Sequence, residues 1–286
     1  MYVVRTLTLM ALCLGIAPAQ GLLLDTHTVV GLGQVSAALI SPDGARVAIL
    51  TSRARGANEP DGTAQVELSM VDFESGALRP FSSEGRFSGL SWSGDSQALH
   101  FSGRRGGSKL TQVHALPVDG GEAQALFEPQ GSVRDYALSA DGTQAAYTCL
   151  APDPADRTKD SAKGFDREVV DEEIRSVELH LVNLATGEDR KFELDGAPWE
   201  LAFSPDGRRL AVYVSPRPTT DHRYMYRRLQ IINLDDSSVV RVENPGKVGD
   251  FAWSPDGHRI AFWQVDTTGV PEFVMINDTE ALYPTL

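Results

Sequence analysis

A strand-turn-strand motif built around Ser-Pro-Asp-Gly constrains the fold of this chain more than any other feature. Two copies, LAFSPDGRRLAVY at 201–213 and FAWSPDGHRIAFW at 251–263, are nearly identical. The aspartates that align the five copies are Asp43, Asp95, Asp141, Asp206 and Asp256. Successive aspartates are 52, 46, 65 and 50 residues apart. A regular spacing of this size predicts that one sheet-forming unit is repeated along the chain.

The residues of the motif have the chemistry of a tight β-hairpin turn. Proline fixes φ at the first central position, aspartate accepts hydrogen bonds from nearby amides, and glycine adopts the left-handed conformation that closes the turn. We therefore interpret these turn residues as structural rather than catalytic. They are Asp43, Gly44, Asp141, Gly142, Asp206, Gly207, Asp256 and Gly257.

The strands beside the turns are apolar at almost every position, as Phe251–Trp253 and Ile260–Trp263 illustrate. Such strands are buried on both faces. A second hairpin follows in each period, which gives four strands per unit. We predict an all-β fold, a β-propeller of about five WD40-like blades in an incomplete ring. The predicted blades span approximately 34–84, 85–130, 131–195, 196–245 and 246–286.

Two other all-β architectures remain open at this point. A β-sandwich also has short strands and frequent turns, although it has no reason to repeat one turn at a fixed register. A small closed five-bladed ring with a sugar or peptide ligand would need the segment 22–30 to complete its last blade. Without closure, apolar blade faces stay exposed at both ends of the array.

The N-terminus has the pattern of a secretory signal peptide. Arg5 precedes an apolar run from Leu7 to Ile16, and small residues follow up to Ala19. We predict a signal peptide at 1–19, a propeller at 22–286 and a secreted or periplasmic location. The alternative is a membrane anchor, but the run is shorter than a spanning helix needs. No later segment is apolar enough to cross a membrane.

Charge and cysteine content exclude two further classes. The formal net charge of −13 argues against nucleic acid as a partner, because its phosphates would be repelled. Cys13 would leave with the signal peptide, so Cys149 would be alone and no disulfide framework is expected. Cys149 follows a strand-like segment, and we interpret it as a buried, inert thiol.

Two segments depart from the repeat and supply the candidate substrate-binding residues. The long third interval places an insertion at 151–175, between the second and third strands of the third blade. It reads as a solvated loop or as a lip over the channel, where Glu172 and Glu173 would receive a substrate's ammonium group. The excursion at 215–230 carries Arg223, Tyr224 and Tyr226. These types are enriched in recognition patches, although an outer strand alternating between buried and exposed positions explains them as well.

We find no catalytic machinery in the sequence. A Gly-x-Ser-x-Gly nucleophile elbow, a His-Glu-x-x-His motif and a Gly-rich phosphate loop are all missing. The six histidines are scattered singly. We therefore predict no catalytic residue, no metal site and no cofactor.

The chain resembles the N-terminal propeller of prolyl-oligopeptidase-family serine peptidases, particularly the acylaminoacyl-peptidase and dipeptidyl-peptidase branches. The segments that carry the likeness, beyond the repeated turns, are 171–188 and 222–262. In that family the propeller caps a C-terminal α/β-hydrolase domain with a Ser-Asp-His triad and admits only short or unfolded peptides. This sequence ends after five blades, so no triad residue can be transferred to it. The dipeptidyl branch holds the substrate's amine with a Glu pair, which Glu172 and Glu173 resemble in composition.

The resemblance implies the substrate-gating part of an exported serine peptidase, inactive by itself. Its expected partners are peptide substrates and the hydrolase domain of the intact protein. The alternative is a stand-alone periplasmic binding propeller similar to TolB. TolB-like chains share the Ser-Pro-Asp-Gly blades but carry an extra domain before them.

Overall fold

The computed structural model describes residues 31–56, 58–82, 87–153, 155–165, 174–243, 247–265 and 269–276. The predicted signal peptide lies outside these residues. Within them, nineteen strands form five antiparallel sheets, and neither of the two short helices is long or apolar enough to cross a membrane. The prediction of an all-β fold of blade-like sheets is confirmed. We call the sheets blades 1 to 5 in chain order.

Each blade is an antiparallel meander in which consecutive strands pair. Blades 1 to 4 have four described strands, and blade 5 has three. Blades 1 and 2 contain β1 (Gln34–Ile40), β2 (Arg46–Arg53), β3 (Gln65–Asp72), β4 (Leu78–Ser82), β5 (Ser88–Trp92), β6 (Ala98–Gly103), β7 (Gln112–Pro117) and β8 (Gln124–Ala125). Blades 3 to 5 contain β9 (Val133–Leu138), β10 (Gln144–Leu150), β11 (Val177–Asn183), β12 (Asp189–Phe192), β13 (Ala197–Phe203), β14 (Arg209–Ser215), β15 (Arg228–Asn233), β16 (Val239–Arg241), β17 (Val248–Trp253), β18 (Ile260–Val265) and β19 (Pro271–Ile276).

The repeated turn joins the first strand of each blade to the second. The two departures from the repeat join second strands to third strands. Segment 151–175 connects β10 to β11 and contains α1 (Ala155–Ala162), and α2 (Thr220–Met225) lies between β14 and β15. Because strands alternate in direction, both departures lie at the end of their blades opposite the repeated turns.

The five turns share one hydrogen-bond pattern. In blade 1, Ser41 Oγ donates to Asp43 Oδ1 at 2.5 Å, and the same oxygen accepts from the amide of Ala45 at 3.0 Å. These bonds hold the pKa of the Asp43 carboxyl below its usual range. Gly44 has φ of +72°, the left-handed conformation that glycine adopts without steric cost. The turns therefore owe their residues to hairpin geometry.

Four apolar clusters fill the four seams between consecutive blades, which explains why so many strands are apolar on both faces. The largest cluster lies between blades 4 and 5 and includes Trp199, Tyr213 and Phe262. The other three lie between blades 1 and 2, 2 and 3, and 3 and 4. Core packing therefore follows the chain order of the blades.

Equivalent tryptophans hydrogen-bond across two of these seams. Trp92 Nε1 donates to the carbonyl of Leu39 in the preceding blade, and Trp253 Nε1 donates to that of Ala202, each at 3.1 Å. Both tryptophans stand immediately before the serine of the repeated turn. The repeat thus encodes the contact between blades as well as the turn within each blade.

The two ends of the array are left apolar. Among the described residues β1 pairs only with β2, and β19 pairs only with β18, so no strand pairing joins blade 1 to blade 5. Ile40 in β1 is 65% exposed, and Phe273 in β19 is 84% exposed. These ends match the incomplete ring that the sequence predicts.

Candidate functional site

The first strand of every blade contains a β-bulge at nearly the same distance before the repeated turn. The register shifts occur at Ser36, at Gly89–Leu90, at Arg134, at Glu200 and at Gly249–Asp250. A bulge redirects a side chain out of the regular pleat, and bulges are frequent beside functional sites. Here the bulged positions of blades 3, 4 and 5 supply charged side chains: Arg134, Glu200 and Asp250.

Glu200 occupies a backbone conformation that favours glycine. Its φ is +48°. The equivalent position of blade 2, also six residues before the aspartate of the turn, is Gly89, with φ of +61°. A side chain at such an angle costs about 1–2 kcal/mol. Blade 4 thus carries a glutamate where blade 2 carries the unstrained residue, and strain of this kind is characteristic of functional positions.

Two arginines from the β14–β15 connection hold the Glu200 carboxylate. Arg227 Nη1 donates to Oε1 at 2.6 Å, and Arg223 Nη2 lies 3.5 Å from the same oxygen. Arg227 is buried, donates from Nη2 to the carbonyl of Val248 at 2.9 Å, and stacks on the Tyr213 ring. Arg227 therefore links the bulged residue of blade 4 to the residue that precedes the bulge of blade 5.

Trp199, next to Glu200, receives two cations on its indole ring. The guanidinium of Arg134 lies 4.9 Å from the ring and that of Arg223 lies 4.7 Å from it. The indole Nε1 donates to Ser215 Oγ at 2.8 Å, which fixes the ring plane. Burial lowers the pKa of the Arg134 guanidinium, and Asp135 opposes that shift. Arg134 is thus a partly desolvated cation held in place by stacking.

The bulged residues Arg134, Glu200 and Asp250 border two adjoining cavities, which together we call the cleft. One cavity, of about 410 Å³, is bordered by Arg134, Asp135, Glu200 and Asp250. The other, of about 780 Å³, is bordered by Arg55, Arg104 and Arg134. Ser88, Ser102 and Arg134 border both cavities. The cleft is therefore acidic towards blades 4 and 5 and basic towards blades 1 and 2.

The acidic part of the cleft offers unpaired carboxylates. Asp135 and Asp250 have no side-chain hydrogen bond or ion pair among the residues that the structure describes. Beside them, Tyr136 donates its hydroxyl to the carbonyl of Gly89 at 2.5 Å, and burial raises the pKa of that phenol to about 12. The tyrosine therefore stays protonated and holds the first strands of blades 2 and 3 together.

Comparisons with known proteins bear on the fold. No family model matches the chain, and no curated protein matches its sequence. The acylaminoacyl peptidase of Pyrococcus horikoshii superposes with a TM-score of 0.62 at 13% identity, over 87% of this chain and 39% of that one. The β-propeller domain of the Trilobed protease from Pyrococcus furiosus gives 0.56 at 17% identity, over 85% and 68%. A putative TolB from Agrobacterium tumefaciens gives 0.53 at 15% identity, over 86% and 77%.

The fold is that of a β-propeller. Likeness at these identities concerns architecture alone, and the three proteins named above include both peptidases and TolB. The chain spans about two fifths of the length of the acylaminoacyl peptidase. The predicted propeller is confirmed, and the predicted peptidase role is not decided by these comparisons.

Of the three predicted substrate-binding residues that the structure describes, only Arg223 contacts a residue that borders the cleft. Arg223 contacts Glu200 and Trp199. Tyr224 and Tyr226 lie on α2 and just after it, and both side chains are more than half exposed. The Tyr226 ring packs on His222 at 5.3 Å. Glu172 and Glu173 lie outside the described residues.

Sequence reasoning missed the charged bulges. Arg134, Glu200 and Asp250 stand six or seven residues before an aspartate of the repeat. A charged residue inside an otherwise apolar strand that is buried on both faces was the available signal.

Proposed function

We propose that this chain is the substrate-admitting propeller of a larger, exported serine peptidase of the prolyl-oligopeptidase type. The observation that carries the proposal is the cleft, with free carboxylates at one end and arginines at the other. An extended peptide with unblocked termini has the complementary polarity, because its ammonium group is cationic and its terminal carboxylate is anionic. Arginine binds carboxylates in a bidentate geometry, which favours this orientation.

The size of the cleft suits a short peptide. Cavities of about 300–1,000 Å³ are usual for small-ligand sites, and both cavities fall in that range. An extended chain advances by about 3.3–3.6 Å per residue, so a few residues reach between the two polar ends. A folded domain would not enter. The exclusion of folded proteins is the role proposed for the propeller in the parent enzyme.

The apolar ends of the array support a larger parent protein. Val35 and Ile40 on blade 1 are well exposed, as are Phe273 and Met275 on blade 5. Exposed apolar sheet faces mark sites where another surface packs. We propose that further parts of the parent peptidase cover them.

The peptide role predicts a dependence on free termini. Isothermal titration of the purified chain with an unblocked tetra-alanine peptide should show binding, and acetylation of the peptide's amine should weaken it about tenfold or more, since one charge-assisted contact is lost. Asp250→Asn should reduce affinity for the unblocked peptide and abolish the difference. Asp119→Asn, at an exposed acid in blade 2 outside the cleft lining, is the matched control and should change neither. Equal affinity for free and doubly blocked peptides would contradict the assignment.

The parent enzyme is tested in the source cells. An antibody against residues 151–175 should detect a protein of more than about twice 31.0 kDa that reacts with a serine-hydrolase probe, because the probe labels an activated serine. An unlabelled band near the mass of this chain would instead favour the stand-alone, TolB-like binding propeller. That alternative is supported by the superposition over 77% of the putative TolB.

A further inference from the structure

A group of metal-binding side chains lies away from the cleft, on the blade 3 face that packs against blade 2. Cys149 on β10 is directly opposite Glu178 on β11, and His180 is two residues further along β11. One sulfur, one carboxylate oxygen and one ring nitrogen from these three residues all lie within 4.8 Å of one another. The antiparallel register, which pairs distant segments of the chain, assembles the group.

The ring of His180 is oriented so that Nε2 faces the group. Asp189 Oδ1 lies 2.8 Å from Nδ1, and the other oxygen of Asp189 accepts from the Tyr147 hydroxyl at 2.7 Å. Tyr147 also stacks on the imidazole, at 5.0 Å between ring centres. Nε2 is buried, in a side chain that is only 6% exposed, and it has no hydrogen-bond partner among the residues that the structure describes. In the tautomer in which Nδ1 donates to Asp189, Nε2 presents a lone pair to the group, and this is the usual arrangement of a metal-bound histidine.

Glu178 is held in a similar way. Lys191 Nζ lies 3.0 Å from Oε1, which leaves Oε2 facing His180 Nε2 at 3.5 Å. That separation is long for a hydrogen bond between nitrogen and oxygen. It is close to the roughly 3.4 Å that separates two ligands bonded tetrahedrally to zinc at about 2.0–2.1 Å.

Cys149 supplies the third ligand from a buried position. Burial raises the pKa of its thiol to about 11, with the charges of Glu178 and Asp189 adding to the shift. An isolated thiol in this setting is a poor nucleophile. A bound divalent cation would stabilise the thiolate. The thiolate, two carboxylates, Lys191 and a dication together carry no net charge.

Blade 2 shows what the same position looks like without the ligand set. His114 on β7 corresponds to His180 and stacks on Phe101 as His180 stacks on Tyr147. Its Nδ1 contacts the carbonyl of Gln112. The residues that correspond to Cys149 and Glu178 are Gly103 and Gln112, which pair in the same register. The histidine is thus a packing residue in both blades. Blade 3 adds a thiol and a carboxylate at the two positions where blade 2 has glycine and glutamine.

We propose that Cys149, Glu178 and His180 bind one zinc-class divalent ion, with Asp189 as the positioning residue of His180. On binding, the Cys149 thiol releases its proton to solvent and the thiolate sulfur bonds to the ion. Three protein ligands leave a fourth position for water. The ion would fasten β10 to β11 at the point where segment 151–175 leaves the blade.

Cobalt reconstitution of the purified full chain tests the site. After chelation and dialysis, Co²⁺ should bind at one ion per chain and give the thiolate-to-cobalt charge-transfer absorption together with the intense visible bands of tetrahedral cobalt. Zinc should displace it stoichiometrically. Cys149→Ser should abolish the charge-transfer absorption, and Asp189→Asn should weaken affinity about 10–100-fold, since second ligand shells contribute that much.

His114→Gln is the matched control and should retain the full cobalt spectrum. Circular dichroism of each variant reports whether it is folded, and Glu178→Gln provides a second ligand variant if Cys149→Ser does not fold. Failure to bind stoichiometric cobalt or zinc would overturn the proposal. So would a charge-transfer absorption that survives in folded Cys149→Ser.

Discussion

Replacing Gly196 by alanine is expected to destabilise the propeller by about 3–5 kcal/mol, the range of the most severe single substitutions. Gly196 lies between β12 and β13 with φ of +136°. A Cβ at this residue would overlap the carbonyl oxygen of Ser215 and would lie 2.8 Å from Val214 Cγ1. Ser215 pairs with Ala197 and accepts the hydrogen bond of the Trp199 indole. The clash therefore falls on the backbone of Ser215, where it cannot be relieved by turning a flexible side chain.

Gly121→Ala measures the cost of the unfavourable backbone conformation without a steric clash. Gly121 has φ of +122°, but a Cβ there would meet nothing within 4 Å. Its substitution should cost only the conformational strain, about 1–2 kcal/mol. Urea unfolding of the two variants and the unmodified chain gives the comparison. Equal losses for Gly196→Ala and Gly121→Ala would show that the contact with Ser215 has no energetic weight.

Arg227→Leu is expected to destabilise the seam between blades 4 and 5 by about 3–5 kcal/mol. The substitution keeps an apolar stem but removes the ion pair with Glu200 and the bonds to the Val248 carbonyl. Removing the buried arginine leaves the Val248 carbonyl without its donors and weakens the compensation of the Glu200 charge, and loss of one partner of a buried pair costs about this much. The Glu200 carboxylate, 31% exposed, keeps only the longer contact to Arg223.

The matched control is Arg241→Leu. Arg241 pairs with Glu243 at 3.4 Å, and both side chains are more than half exposed. An exposed pair contributes about 0–1 kcal/mol, so this variant should unfold almost as the unmodified chain does. Glu200→Gln combined with Arg227→Leu should recover part of the loss, because the carboxylate that lost its closest cation is replaced by a neutral amide. If Arg227→Leu and Arg241→Leu unfold at the same urea concentration, Arg227 does not carry the seam.

The bulges show where local sequence patterns stop being informative. The sequence pattern identifies the strands that hold Arg134, Glu200 and Asp250, because apolar runs and the repeated turn are local signals. Whether a strand residue points into the cleft depends on a register shift against the neighbouring strand. A shift of one residue reverses the side of the sheet that a side chain faces. The register depends on both paired strands, so it cannot be predicted from the sequence of either strand alone.

Arg223 and Cys149 show what local sequence patterns can and cannot predict about a site. The residue types around Arg223 predict a recognition patch, and its position on a long connection brings it into contact with Glu200, whereas Tyr224 and Tyr226 on the same connection are exposed. Cys149 and His180 are 31 positions apart and carry no recognisable spacing. Only the pairing of β10 with β11 makes them neighbours.

The sequence by itself determined the repeating unit, the chemistry of its turns and the burial of its strands, because hairpin geometry and apolar patterning are set within a few residues. Both tryptophans that hydrogen-bond between blades occupy one position of the repeat, but the sequence pattern alone does not show which carbonyl each of them reaches. The tertiary structure decided the polarity of the cleft and the ligand group of blade 3. Both arise where strands from different repeats meet, and the charge and donor atoms gathered there depend on register and packing across the seams.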